Sequence, residues 1–137
     1  LAAVTPRPGF NLIHMHGELL KARCTATDQV CDWREDLAPY HDSPFSSDGW
    51  LRPHIVWFGE MPLEMPRIYA ALERCDLFVS IGTSGAVYPA AGFVREARLA
   101  GARTVEINLA PPLAASAFEE HLYGPATEMV PPFIATL

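Results

Sequence analysis

The 137-residue sequence predicts an α/β fold in which a parallel sheet is covered by helices. Three consecutive segments carry that expectation. Residues 66–76, PRIYAALERCD, place Ile68, Ala71, Leu72 and Cys75 at the i, i+3, i+4, i+7 spacing of one helix face, with Pro66 in the first turn. The chain then runs directly into LFVSIG, residues 77–82, a short apolar run with β-branched side chains that ends in glycine, as a buried strand does. After a loop and a helix over 89–100, closed by Gly101, TVEINL at 104–109 supplies a second strand. A strand, crossover and strand of this length pair in parallel, with a right-handed connection.

The remaining elements are less regular. Residues 1–10, LAAVTPRPGF, form a turn-rich lead that opens on Leu1 rather than Met, so the sequence reads as a fragment. RPHIVWFGE, residues 52–60, is a further strand, and the closing PATEMVPPFIATL is expected to be a helix interrupted by Pro131 and Pro132. Residues 24–50 are polar, rich in Asp, Ser and Pro and without periodicity, which marks a small insert within a single domain over 1–137.

Composition bounds the function. Half of the residues are hydrophobic and 19% are charged, and no apolar run approaches the roughly 18 residues of a membrane span, so a soluble globular protein with no membrane partner is expected. Sixteen acidic against ten basic residues give a formal charge of -6, which repels phosphate backbones and argues against nucleic acid as a partner. Cys24, Cys31 and Cys75 make an odd number with no secretory leader ahead of them, which points to the cytoplasm.

In open parallel sheets, ligands bind beyond the carboxyl ends of the strands. Two segments fall there. Residues 82–85, GTSG, combine glycines that let a backbone approach a ligand with the hydroxyls of Thr83 and Ser84, which can bond phosphate or ribose. Asn108, at the end of the second strand, offers an acceptor and two donors to ribose hydroxyls or a base. Such turns are also common between strand and helix without any ligand. Upstream, IHMHGELL at 13–20 spaces His14 and His16 to share one face if extended. The pair suits a metal, a general base titrating near neutrality, or two ordinary histidines, and Glu18 suits a helix start.

HMHGELL, RPHIVWFGE, IGTSGAVYPAAGF, INL and YGPAT, in this order and spacing, resemble the C-terminal half of a sirtuin, the NAD-dependent protein deacylase family, and most of all its bacterial CobB-like branch. The resemblance runs from Asn11 to Leu137 and implies a partial Rossmann-like sheet. It also implies that His16 is the general base, which deprotonates a ribose hydroxyl so that the acyl group of an acyl-lysine peptide or protein passes to ADP-ribose with release of nicotinamide. By the same resemblance Gly82, Thr83 and Ser84 hold a ribose and phosphate of NAD, Asn108, Leu109 and Ala110 the adenine ribose, and Ala126 the adenine. Residues 58–60 and 86–88 resemble the two edges between which a substrate peptide lies as an added strand, with core packing as the alternative for Phe58.

Two departures matter. Sirtuins of this type carry a zinc ribbon of two cysteine pairs in the insert, whereas here only Cys24 and Cys31 fall in it and SPFSSDGW stands in place of the second pair. Four ligands cannot be assembled even with His41, so the insert is a degenerate zinc-ribbon-like module, zinc is not expected, and Cys75 is expected to be buried in its helix. The family's glycine-rich phosphate loop, its TQNxD segment and the tyrosine-arginine pair that selects acidic acyl groups are also not among these residues. The expectation is therefore a truncated deacylase, of deacetylase or desuccinylase type, inactive alone. The alternatives are a non-catalytic NAD-binding or interaction remnant, or an unrelated metal hydrolase built on the two histidines.

Overall fold

A computed structural model describes residues 11–83, 85–112 and 116–137. The chain divides into two compact units, Leu1–Met65 and Pro66–Leu137. The first contains a four-stranded antiparallel sheet, β1 (Gly17–Cys24), β2 (Val30–Asp32), β3 (His41–Asp42) and β4 (Trp50–Ile55), in the order β2-β1-β4-β3. The predicted strand over 52–60 is thus β4, which ends at Ile55 and gives way to a turn, and it belongs to an antiparallel sheet.

The insert proves more ordered than its composition suggests. Its flanks β1 and β4 pair with each other, and Ala22, Cys24 and Leu51 form a small core against which Cys31, Trp33, Leu37 and Phe45 pack. β1 escapes pattern reading because its large apolar residues, Leu19 and Leu20, are exposed, while the small Ala22 and Cys24 point inward. Gly49 closes this core: a Cβ there would lie 2.9 Å from the Cys24 sulfur and 2.7 Å from the Ala26 Cβ. Glu18 lies in this strand and starts no helix.

The second unit holds a three-stranded parallel sheet, β5 (Leu77–Ile81), β6 (Arg103–Asn108) and β7 (Glu120–Tyr123), in the order β5-β6-β7. β6 is central and almost wholly buried, so it carries the core: Val105 and Ile107 meet Phe133, with Leu77, Val79, Leu122, Met129 and Val130 around them. Thr104 and Glu106 alternate to the opposite face and are buried as well. β7 is short and half polar, which hid it from periodicity; it pairs through Val105↔Glu120 to Asn108↔Tyr123.

Helix α1 (Met65–Leu72) is shorter than predicted, because its last turn tightens toward Cys75, whose amide bonds the Leu72 carbonyl at 3.4 Å. Its inward residues are Met65, Ile68, Leu72 and Cys75, with Ala71 exposed, and Cys75 is only half-buried. The predicted helix over 89–100 becomes a single 3-10 turn, Ala90–Gly92, followed by α2 (Phe93–Leu99), which buries Phe93, Val94 and Ala97. Helix α3 (Ala126–Ile134) is not interrupted by Pro131 and Pro132. Proline removes donors but keeps its carbonyl, and that of Pro131 still accepts from Ala135 at 3.1 Å, while burial of Phe133 holds the helix on β6.

Ile107→Ala is expected to destabilise the second unit by about 2–5 kcal/mol, since Ile107 has no exposed surface, whereas Leu109→Ala, two residues on and three-quarters exposed, is expected to stay within about 0.5 kcal/mol. Urea unfolding of the two variants followed by circular dichroism checks the contrast.

Candidate functional site

His14 and His16 are not extended. The Gly17 amide bonds the His14 carbonyl at 2.8 Å, closing a turn, so the two rings do not share a strand face. The next two carbonyls are pinned as well, Met15 O by the Leu63 amide at 2.9 Å and His16 O by the Val56 amide at 3.1 Å. Three successive backbone groups are therefore held while the His16 side chain stays exposed. The glycine after it is obligatory. Gly17 has φ +80°, and a Cβ there would lie 2.0 Å from the His54 carbonyl oxygen of β4.

Around this turn Glu18 accepts from Lys21 at 2.8 Å, the main reason that its carboxyl sits below its ordinary value, and His14 stands 3.7 Å from Glu18, too far for a hydrogen bond. Burial pushes the His54 imidazole down, with Arg23 adding to the effect. Downstream, Glu60 takes a bidentate bond from Arg52, accepts the Trp57 amide at 2.9 Å and has Arg23 at 3.8 Å. This latch folds residues 57–60 back on β4, with Gly59 at φ +87°. Phe58 is thereby left wholly exposed (101%) among the described residues.

Metal ligation finds no support in the donor set. Among the described residues no three of His, Cys, Asp and Glu gather closely enough to hold an ion. Cys24 lies in the apolar core, where hydroxyls of Ser43 and Thr27 bond its sulfur and draw the thiol down to about 7. The His41 ring stands edge-on to Trp33 at 4.7 Å. These residues do not fit a four-ligand zinc site.

In the second unit two of the predicted residues, Thr83 and Asn108, are in direct contact. Gly82 and Gly85, with φ +66° and +61°, leave their Cβ directions open, so a ligand can meet bare backbone there. Thr83 takes the Gly85 amide on its hydroxyl at 3.3 Å and the Asn108 Nδ2 on its carbonyl at 2.9 Å; Ser84 lies outside the described residues. Asn108 also receives the Gly124 amide on its own carbonyl at 2.9 Å, while Leu109 and Ala110 are exposed beyond it and Ala126 opens α3 two residues after Gly124. The loops after β5, β6 and β7 thus meet at Asn108. Missed in the sequence were Glu106 and His121 behind it: Glu106 accepts from Asn108 Nδ2 at 2.8 Å and pairs with His121 Nδ1 at 3.1 Å. A lone acidic residue inside TVEINL was the available signal.

Comparison with known proteins decides the family. Residues 5–89 match the family model described as the Sir2 family. The chain belongs to the Sir2 family. Among Sir2 relatives, the NAD-dependent protein deacylase of Pasteurella multocida (strain Pm70) is 59% identical over 127 residues, covering 91% of this chain and 54% of that protein. The enzyme of the same name from Escherichia coli (strain K12) is 56% identical over 130 residues, covering 93% of this chain and 46% of its own length. The chain therefore spans about half the length of the curated relatives it matches. A crystal structure of a Sir2 homologue–NAD complex superposes with a TM-score of 0.78 at 29% identity, over 93% of this chain and 51% of that one. Sir2Af2 bound to a myristoylated histone peptide superposes with a TM-score of 0.69 at 26% identity, over 88% of this chain and 54% of that one.

Gly17→Ala is expected to cost more than about 2 kcal/mol, because positive φ and a backbone clash combine; chemical denaturation measures it. Glu60 carries a pH expectation too. Arg52 first, then the Trp57 amide, hold its carboxyl below the ordinary value, so the latch's stabilisation is fully present above about pH 4.3 and is lost as pH falls through the lowered value of the folded state. Protection of the Trp57 amide, measured by NMR as exchange relative to the intrinsic rate, is expected to fall over that range in the native protein and to be low already at neutral pH in Glu60→Ala.

Proposed function

We propose that the chain carries the general base and the adenosine-side residues of an NAD-dependent protein-lysine deacylase. The observation that supports this most directly is the pinned turn that presents His16: its backbone is held by three hydrogen bonds while its ring remains free to exchange a proton with a bound substrate. The relatives at 56–59% identity bear that activity in their names.

The residues fit one half of the dinucleotide. Gly82, Thr83 and Ser84 approach ribose and phosphate, Asn108, Leu109 and Ala110 the adenine ribose, and Ala126 the adenine. When bound, NAD supplies the electrophilic ribose carbon and the ribose hydroxyls. His16 then takes the proton from a ribose hydroxyl on an imidazole nitrogen, and the exposed loop at Phe58 offers an edge to an extended acyl-lysine peptide. The acyl group is of acetyl or succinyl type. A cytoplasmic setting accords with three free thiols, and no helix among the described residues is long and apolar enough to cross a membrane.

Residues 1–137 joined behind the N-terminal half of the Pasteurella relative are expected to deacylate acetyl- or succinyl-lysine peptides. His16→Ala in that chimera is expected to lose at least about a hundredfold in turnover, with NAD affinity within about threefold. The 137 residues alone are expected to release no nicotinamide, because they contain no glycine-rich phosphate loop and positioning accounts for about 7–11 kcal/mol of such a barrier. Unchanged turnover in His16→Ala removes that residue from the chemistry; NAD-dependent, His16-dependent release by the 137 residues alone shows that the loop is dispensable.

A further inference from the structure

A carboxylate inside a parallel sheet is costly unless its oxygens are satisfied. Glu106 is 3% exposed in the central strand, and each of its oxygens has a partner: Oε1 accepts from Asn108 Nδ2 at 2.8 Å, and Oε2 pairs with His121 Nδ1 at 3.1 Å across the Glu106↔His121 register. The same Nδ2 bonds the Thr83 carbonyl at 2.9 Å. Both donor directions of the Asn108 carboxamide are thus committed, which settles its orientation and leaves Oδ1 as the group that these bonds do not use.

We propose that Glu106 is a positioning residue for the adenosine side of the site: by holding Asn108 Nδ2 from within the sheet, it fixes the carboxamide so that Oδ1 is offered to a ligand hydroxyl and ties Asn108 to the Thr83 loop. The inference rests on the function proposed above for its ligand, but the brace itself exists without one. His121, stacked on Tyr123 with ring centroids 5.9 Å apart, holds the other carboxylate oxygen and keeps Glu106 from turning away. An unbraced Asn108 would sample other rotamers, and a ligand would meet donors or an acceptor at random. Glutamine at 106 can replace the brace, its oxygen accepting from Asn108 and its amide donating to an unprotonated His121 Nδ1. An apolar residue cannot.

The sequence holds only three side-chain carboxamides, Asn11, Gln29 and Asn108, so NMR can follow each. In the ligand-free 137-residue chain the Asn108 Nδ2 protons are expected to exchange at least about tenfold more slowly than those of exposed Gln29. Glu106→Val is expected to abolish that difference and, in the chimera with the N-terminal half of the Pasteurella relative, to weaken ADP-ribose binding about tenfold, while Glu106→Gln keeps both. Adding Asn108→Ala to Glu106→Val is expected to cost no further affinity, since the two act as one unit. Equal exchange at Asn108 and Gln29 in the native chain overturns the brace, as does slow exchange persisting in a folded Glu106→Val variant. Losses of affinity that simply add overturn its link to the ligand. Where Glu106→Val fails to fold, the native chain and Glu106→Gln decide through exchange alone. Slow exchange in the native chain together with no ADP-ribose binding by the chimera refutes the proposed function and leaves the brace standing.

Discussion

The second unit depends on how a buried charge is satisfied. Glu106 occupies the middle of the strand that also supplies the core, and its neighbours Val105 and Ile107 face the opposite layer. A charge placed there without partners would be costly; with Asn108 and His121 as partners it becomes the point from which three loops are organised. The Thr83 carbonyl, the Asn108 side chain and the Gly124 amide meet at one residue because three parallel strands end together. Parallel pairing places those ends on one side, and the polar network turns proximity into fixed geometry.

The first unit solves a different problem, which is to hold an exposed imidazole still. Burial would immobilise His16 but would also close it to any ligand. Instead the backbone is held, through carbonyls of three consecutive residues, and the ring is left in solvent. That arrangement works only if β1 approaches β4 at Gly17 more closely than any side chain allows. The Glu60 latch plays a similar part for residues 57–60. Two guanidiniums and a backbone amide hold the carboxylate, so an apolar loop tip with Phe58 stays presented and is kept from collapsing onto the sheet.

The insert shows how a segment with few apolar residues can still form a core. Cys24 belongs to an apolar cluster with Ala22 and Leu51, covered by Cys31, Trp33, Leu37 and Phe45, and among the described residues no third possible metal ligand gathers with the two thiols. Gly49 packs against the sulfur at a distance that leaves no room for a side chain. Hydroxyl groups supply the remaining contacts of the thiol. Composition made this segment look irregular because its apolar residues are few and widely spaced. They nevertheless converge once two short antiparallel pairings form.

The sequence by itself determined the β5–α2–β6 unit, since apolar periodicity and glycine punctuation are local signals that survive into the folded state. It also marked residues 82–85 and Asn108, because strand ends in a parallel sheet are where loops must leave. The roles proposed for His16 and Ala126 came from family resemblance, as no spacing rule distinguishes them. Only the tertiary structure decided that His14 and His16 lie in a turn, that Pro131 and Pro132 sit inside a continuous helix, and that β1 and β7 are strands. The same holds for Glu106, Glu60 and Gly17, whose partners His121, Arg52 and His54 are 8 to 37 residues away on other strands. Hydrogen bonds to a buried carboxylate and close backbone approach across a sheet have no local pattern; they exist only once distant segments have been brought together.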